Sequence, residues 1–132
     1  MEKIKFRGKN IHTGEWLYGD YHREGKAHYI TKSGQYLREY APIEFIVDGK
    51  TVGQFTGMLD KNGKEIYEGD IVRYYDDIED ELVSSHVIYH KESCSFCAAP
   101  TKLCGDYIGI CAHWRFEVIG NIFDNSGLLS DK

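Results

Sequence analysis

Proline, alanine and leucine are scarce in this chain of 132 residues, with two, five and seven copies. The shortage of alanine and leucine removes the apolar residues that favour helices most. In their place stand 13 Ile, 6 Val, 10 Tyr, 6 Phe and 2 Trp, a mixture suited to strands. No run approaches the roughly 18 apolar residues of a membrane-spanning helix, so no membrane association is expected. The chain has no Asn-x-Ser/Thr sequon, and its opening MEKIKFRGKN has charge but no apolar stretch, so a secretory signal is not expected. A cytoplasmic location follows, where the four cysteines would stay reduced. An excess of positive charge is missing too. Sixteen Lys and Arg against 21 Asp and Glu give a net charge of −5, which offers nucleic acid no general attraction.

What is present is a succession of short extended segments. Lys3, Lys5, Arg7 and Lys9 alternate with Ile4, Phe6 and Gly8, predicting a strand with one basic and one apolar face. A turn at Asn10–Gly14 leads to a second strand over Glu15–Tyr21, and a turn at His22–Gly25 leads to a third over Ala27–Thr31. Ser33-Gly34 reads as another turn, and Pro42 argues against a central strand over Gln35–Phe45. Asp48-Gly49 marks a further turn. Asp60-Lys61-Asn62-Gly63 marks the strongest one, because Asn-Gly supplies the positive φ of a tight reversal. Strands are predicted over Ile71–Tyr75, Val83–His90 and Trp114–Ile119, with an acidic loop at Asp76–Glu81 and an irregular stretch at Cys94–Gly109. Turn signals spaced roughly every 8–12 residues predict an all-β fold, a compact and partly open β-barrel-like domain of hairpins with little helix. Its open edges favour homo-oligomerisation by edge pairing.

The chemistry-bearing residues have modest readings. Cys94-x2-Cys97-x6-Cys104-x6-Cys111 offers one short pair, where a tetrahedral zinc site wants two knuckles or two added histidines. An extended Cys94–Cys97 segment would also point the two thiols to opposite faces. Packed, reduced cysteines are the favoured reading, so no metal and no cofactor are expected. Ser84-Ser85-His86 and Cys111-x-His113 place nucleophiles beside bases, but side chains two apart on a strand lie about 7 Å from each other, and catalytic triads draw on distant segments. Glu65, Glu68 and Asp70 read as turn and loop residues. Asp76, Asp77, Glu79, Asp80 and Glu81 read as a solvated hairpin tip, with docking of a basic partner as the sharper alternative. The stripe Lys3, Lys5, Arg7 and Lys9 could meet phosphates or pair with carboxylates on a neighbouring strand.

Three blocks carry a resemblance. Ile4-Lys5-Phe6-Arg7-Gly8-Lys9 with Trp16-Leu17-Tyr18-Gly19-Asp20-Tyr21 is the first. Thr51-Val52-Gly53-Gln54-Phe55-Thr56-Gly57 running on through Asp60 to Val72 is the second, and Phe116–Phe123 is the third. In order and spacing they resemble the YopX-like family of small bacteriophage and prophage proteins. The resemblance implies a single mostly β domain over residues 1–132, with a variable insert at about 91–112 and a flexible tail at about 127–132. It implies a bacterial cytoplasm as the site of action and no catalytic residues. The favoured expectation is a non-enzymatic interaction module with a protein partner. A nucleic-acid-binding reading would use the basic first strand with exposed tyrosines, and a zinc- or thiol-dependent reading would use Cys94, Cys97, Cys104 and Cys111.

Overall fold

A computed structural model describes residues 4–32 and 43–129. Its backbone divides into two compact units, residues 1–55 and 56–132. The expected turn at Ser33-Gly34, the segment around Pro42 and the end of the tail lie outside the described residues. Among the described residues, no helix is long and apolar enough to cross a membrane.

The first unit is built of β1 (Phe6–Lys9), β2 (Trp16–Glu24), β3 (Ala27–Thr31), β4 (Ile46–Val47) and the start of β5 (Gly53–Leu59). They lie in the antiparallel order β4-β3-β2-β1-β5. The second strand is longer than its composition suggested. His22, Arg23 and Glu24 pair with Tyr29, His28 and Ala27, so the reversal is confined to Gly25 and Lys26 rather than spread over His22–Gly25. Ile30 and Val47 form its apolar centre, with Tyr29 beside them.

A polar side chain fastens the first turn. Asn10 is buried; its Oδ1 accepts the amides of His12 and Thr13, both at 2.9 Å. Its Nδ2 donates to the carbonyls of Glu44 and Ile46 at 2.9 and 3.1 Å. An asparagine side chain can donate and accept at once, and here it closes its own turn while holding the segment that leads into β4.

In the second unit β5 runs on beside β6 (Glu65–Tyr67), and a five-stranded antiparallel sheet has the order β10-β9-β8-β7-β11. Its strands are β7 (Asp70–Asp76), β8 (Glu81–His90), β9 (Ser95–Ala98), β10 (Ile108–Gly109) and β11 (Glu117–Asn121). Among the described residues the fold is thus mainly β in two antiparallel sheets, with no closed barrel. Alternation places Val72, Tyr74 and Asp76 inward on β7 and leaves Arg73 and Tyr75 exposed. Val83, Ser85 and Val87 do the same on β8. Ile66, Ala98, Cys104, Ile110 and Phe116 complete that core. Phe116 meets the Tyr74 ring edge-on at 5.4 Å between centroids, a favoured aromatic geometry.

Two sequence expectations are corrected in this unit. Cys94–Gly109 is not wholly irregular, because Phe96 pairs with Tyr89 in register and meets its ring edge-on at 5.3 Å. That aromatic pair and the small Ala98 let β9 join the sheet. The last strand begins later than Trp114. Ile110–Arg115 forms a 3₁₀ segment, and the Phe116 amide bonds the His113 carbonyl at 3.1 Å, so ladder pairing starts at Glu117 opposite Arg73.

Candidate functional site

The second unit carries an open cleft of about 570 Å³. One wall is the β7–β8 turn, residues 76–79; the other is the loop 103–109, with Arg115 alongside. Each wall is fixed by local chemistry. Asp76 ends β7 on the inward side, and its Oδ1 accepts the amides of Ile78 and Glu79 at 2.9 and 3.2 Å. Those amides hold the Asp76 carboxyl below the usual carboxylate range against the opposing pull of burial, with the Cys104 thiol and the Arg115 charge adding to them. The solvated hairpin tip therefore consists of Asp77, Ile78, Glu79 and Asp80, with Glu81 also exposed, while Asp76 is buried and caps the turn.

The opposite wall is shaped by a tight turn. The Thr101 amide bonds the Cys104 carbonyl at 2.6 Å, and the Cys104 amide bonds Thr101 Oγ1 at 3.0 Å. This turn carries Cys104 inward into the core. Farther along, Tyr107 stacks on His90 at 3.9 Å between ring centroids, which ties the loop to the end of β8. Arg115 donates to the Tyr75 carbonyl at 3.1 Å and lies over the Tyr74 ring.

The cleft is acidic and apolar at once. Asp76, Asp77, Glu79 and Asp106 face it together with the single guanidinium of Arg115. Its rim carries Ile78, Leu103 and Tyr107, which are 88%, 36% and 48% exposed. Tyr74, on the inward side of β7, is 1% exposed. Burial first, and then the Cys104 thiol beside it, pushes this phenol far above the usual tyrosine range, so it stays protonated at any physiological pH.

The other sequence candidates are scattered. Lys3 lies outside the described residues. Lys5 lies over the Phe55 ring, while Arg7 and Lys9 lie over Trp16; Arg7 is buried. The basic stripe is thus laid against aromatic rings of its own unit. Cys94 and Cys111 are exposed, Cys97 and Cys104 buried. Among the described residues no three His, Cys, Asp or Glu side chains gather as a metal-holding group. Ser85 donates to the Ala99 carbonyl, and burial lowers the pKa of the neighbouring His86. His113 bonds the Leu59 carbonyl at 2.9 Å and sits with Cys111 in the 3₁₀ segment rather than on a strand. Asp70 accepts the Tyr67 amide at 2.7 Å and Glu65 the Tyr67 hydroxyl at 3.1 Å, both as local turn contacts.

Comparison with known proteins completes the picture. The family model described as YopX protein matches residues 5–130, nearly the full length. The chain belongs to the YopX family. This family is found in phage- and prophage-type proteins. No curated protein matches the sequence, so the family assignment brings a setting without a reaction. Of the cleft residues in this YopX chain, the acidic run and the cysteine spacing mark Asp76, Asp77, Glu79 and Cys104 but not Asp106 or Arg115. Strand alternation from Val72 is the signal that sends Asp76 inward.

Proposed function

We propose that this YopX protein is a non-enzymatic interaction module of phage origin that acts in the bacterial cytoplasm by binding a protein partner at the β7–β8 cleft. The observation that carries this reading is the rim. Three large apolar side chains, Ile78, Leu103 and Tyr107, stand exposed around one recess, and Leu82 on the same hairpin is 60% exposed. Isolated exposed apolar residues are ordinary, but several of them gathered around one recess make the kind of exposed apolar group that marks interaction surfaces. The nucleic-acid reading draws less support, because Lys5, Arg7 and Lys9, three of the cations it would use, lie over the Phe55 and Trp16 rings of their own unit.

The test is affinity capture from bacterial lysate on the full-length protein, run in parallel with an Ile78→Asp variant. Ile78 is too exposed for its replacement to disturb folding, which a urea midpoint would check. A host protein retained by the wild type and lost by the variant is the expected result. Retention of the same protein by both, or capture of none, overturns the assignment of this surface.

A further inference from the structure

Two of the cysteines meet at the β9–β10 edge of the five-stranded sheet. Cys97 of β9 lies directly opposite Gly109 of β10 in antiparallel register. Side chains in opposed positions point to the same face, with Cβ atoms roughly 4.5–5.5 Å apart. Gly109 has no side chain, and a Cβ built there would stand 3.2 Å from Cys111 Sγ. The Cys111 thiol therefore lies beside the space that a side chain facing Cys97 would fill.

Alternation fixes which face this is. Ala98 belongs to the core and its partner Ile108 packs against that core. Cys97 and Gly109, one residue along on each strand, thus face the other way. On that side Ser95 Oγ and Cys97 Sγ are 3.6 Å apart, and Cys97 pairs with half-buried Ile88 of β8. Both thiols are free; Cys97 is 4% exposed, whereas Cys111, in the 3₁₀ segment, is exposed. An accessible thiol next to a sheltered one is the arrangement in which the first meets an oxidant and the second resolves the product.

We propose that Cys111 and Cys97 are a redox-sensitive dithiol that closes to an intramolecular disulfide when the protein meets hydrogen peroxide. The Cys111 sulfur attacks a peroxide oxygen and the O–O bond breaks, which leaves a sulfenic acid on Cys111 and releases the other oxygen as water with the Cys111 proton. The Cys97 sulfur then attacks the sulfenic sulfur. The S–O bond breaks, the S–S bond forms, and a second water leaves with the Cys97 proton. Two thiols are oxidised by two electrons and one peroxide is reduced to two waters; a dithiol reductant reverses the bond. The missing side chain at Gly109 leaves the path between the sulfurs clear. The bond ties to β9 the 3₁₀ segment that brings Arg115 to the cleft.

The experiment treats the full chain with a small excess of hydrogen peroxide, alkylates the remaining thiols in denaturant, and maps unreduced peptides by mass spectrometry. The expected product is a monomer in which the Cys97 and Cys111 peptides are joined, with Cys94 and Cys104 alkylated. Oxidation should also slow amide hydrogen exchange over residues 110–115, and Cys111→Ser should remove both effects. Gly109→Ala puts a methyl group between the thiols and should slow the crosslink several-fold, with a urea midpoint on the reduced variant checking that it folds. The proposal is overturned by Cys111 joined to Cys94 or Cys104 instead, by disulfide-linked dimers as the main product, or by Cys111 carried on to sulfinic acid while Cys97 stays alkylatable. Unchanged exchange over 110–115 on oxidation, or a crosslinking rate indifferent to Gly109→Ala in the folded variant, overturns it as well.

Discussion

Asp60 shows how much one side chain can organise at a turn. It is 5% exposed. Its Oδ1 accepts the amides of Asn62 and Lys64, both at 2.8 Å, and its Oδ2 reaches the amide of Val118 at 2.9 Å. Burial alone would raise its carboxyl. The three amides, with the charge of Lys64, prevail and hold it below the usual range. The sign of the pH effect follows. The folded pKa is lowered, so the stabilisation is fully present above the unfolded value of about 3.9 and is lost as pH falls through the folded value. Asp60→Ala is expected to cost about 2 kcal/mol at neutral pH, because the amides in the exposed turn can bond water while the Val118 amide, at a strand, loses a charged acceptor. Asp60→Asn should flatten the acid limb of a urea-midpoint profile taken between about pH 2 and 7; an unchanged limb would assign the acid sensitivity elsewhere. Glu117 gives the contrast. Arg73 holds its carboxyl low through a 2.8 Å hydrogen bond, but the pair is 43% and 30% exposed. Solvent screens such a pair, and Glu117→Gln should leave the urea midpoint within error.

At the level of the hairpins, two glycines with positive φ separate strain from collision. Gly63 closes the Asn-Gly turn at φ +85° with open space around it, so Gly63→Ala meets only the left-handed backbone penalty of about 1–2 kcal/mol. Gly19, within β2 at φ +153°, would place a Cβ 1.9 Å from the Thr31 carbonyl oxygen of β3. That obstacle is backbone and cannot swing aside, so Gly19→Ala should cost about 3 kcal/mol or more. Chemical denaturation of the two variants checks the order; equal losses would refute it. The same two positions mark what sequence reading can reach. Asn62-Gly63 announces its turn because the required φ is local chemistry. The role of Gly19 depends on which strand comes to lie beside it, and no local pattern states that. β9 is another such case, since its place in the sheet rests on the facing of Phe96 and Tyr89 across strands. The cleft divides in the same way. Asp76 and the tip carboxylates were legible as a charged run, whereas Arg115 joins them only through the 3₁₀ segment, a tertiary outcome.

For the molecule as a whole, the division at residue 55 has an energetic reading that experiment can reach. The large apolar cluster of Ile66, Val72, Tyr74, Val83, Val87, Ala98, Cys104, Ile110 and Phe116 lies entirely within residues 56–132. Its strands also pair among themselves through β7–β8, β8–β9 and β7–β11. Even the cut end is provided for, since Thr56 Oγ1 donates to the Ile66 carbonyl at 2.8 Å. Among the described residues of 1–55, fewer large apolar side chains are buried, chiefly Tyr29, Ile30 and Val47, and Asn10 adds a polar fastening. A chain of that length is near the lower limit for folding on a single core. The expected outcome is asymmetric. A fragment spanning 56–132 should give a cooperative urea transition with native-like far-ultraviolet circular dichroism, and a fragment spanning 1–55 should give none. A cooperative transition in the shorter fragment, or its absence in the longer, would mean that the apolar cluster does not set the autonomy of the units. A folded 56–132 fragment would also contain every residue that lines the cleft.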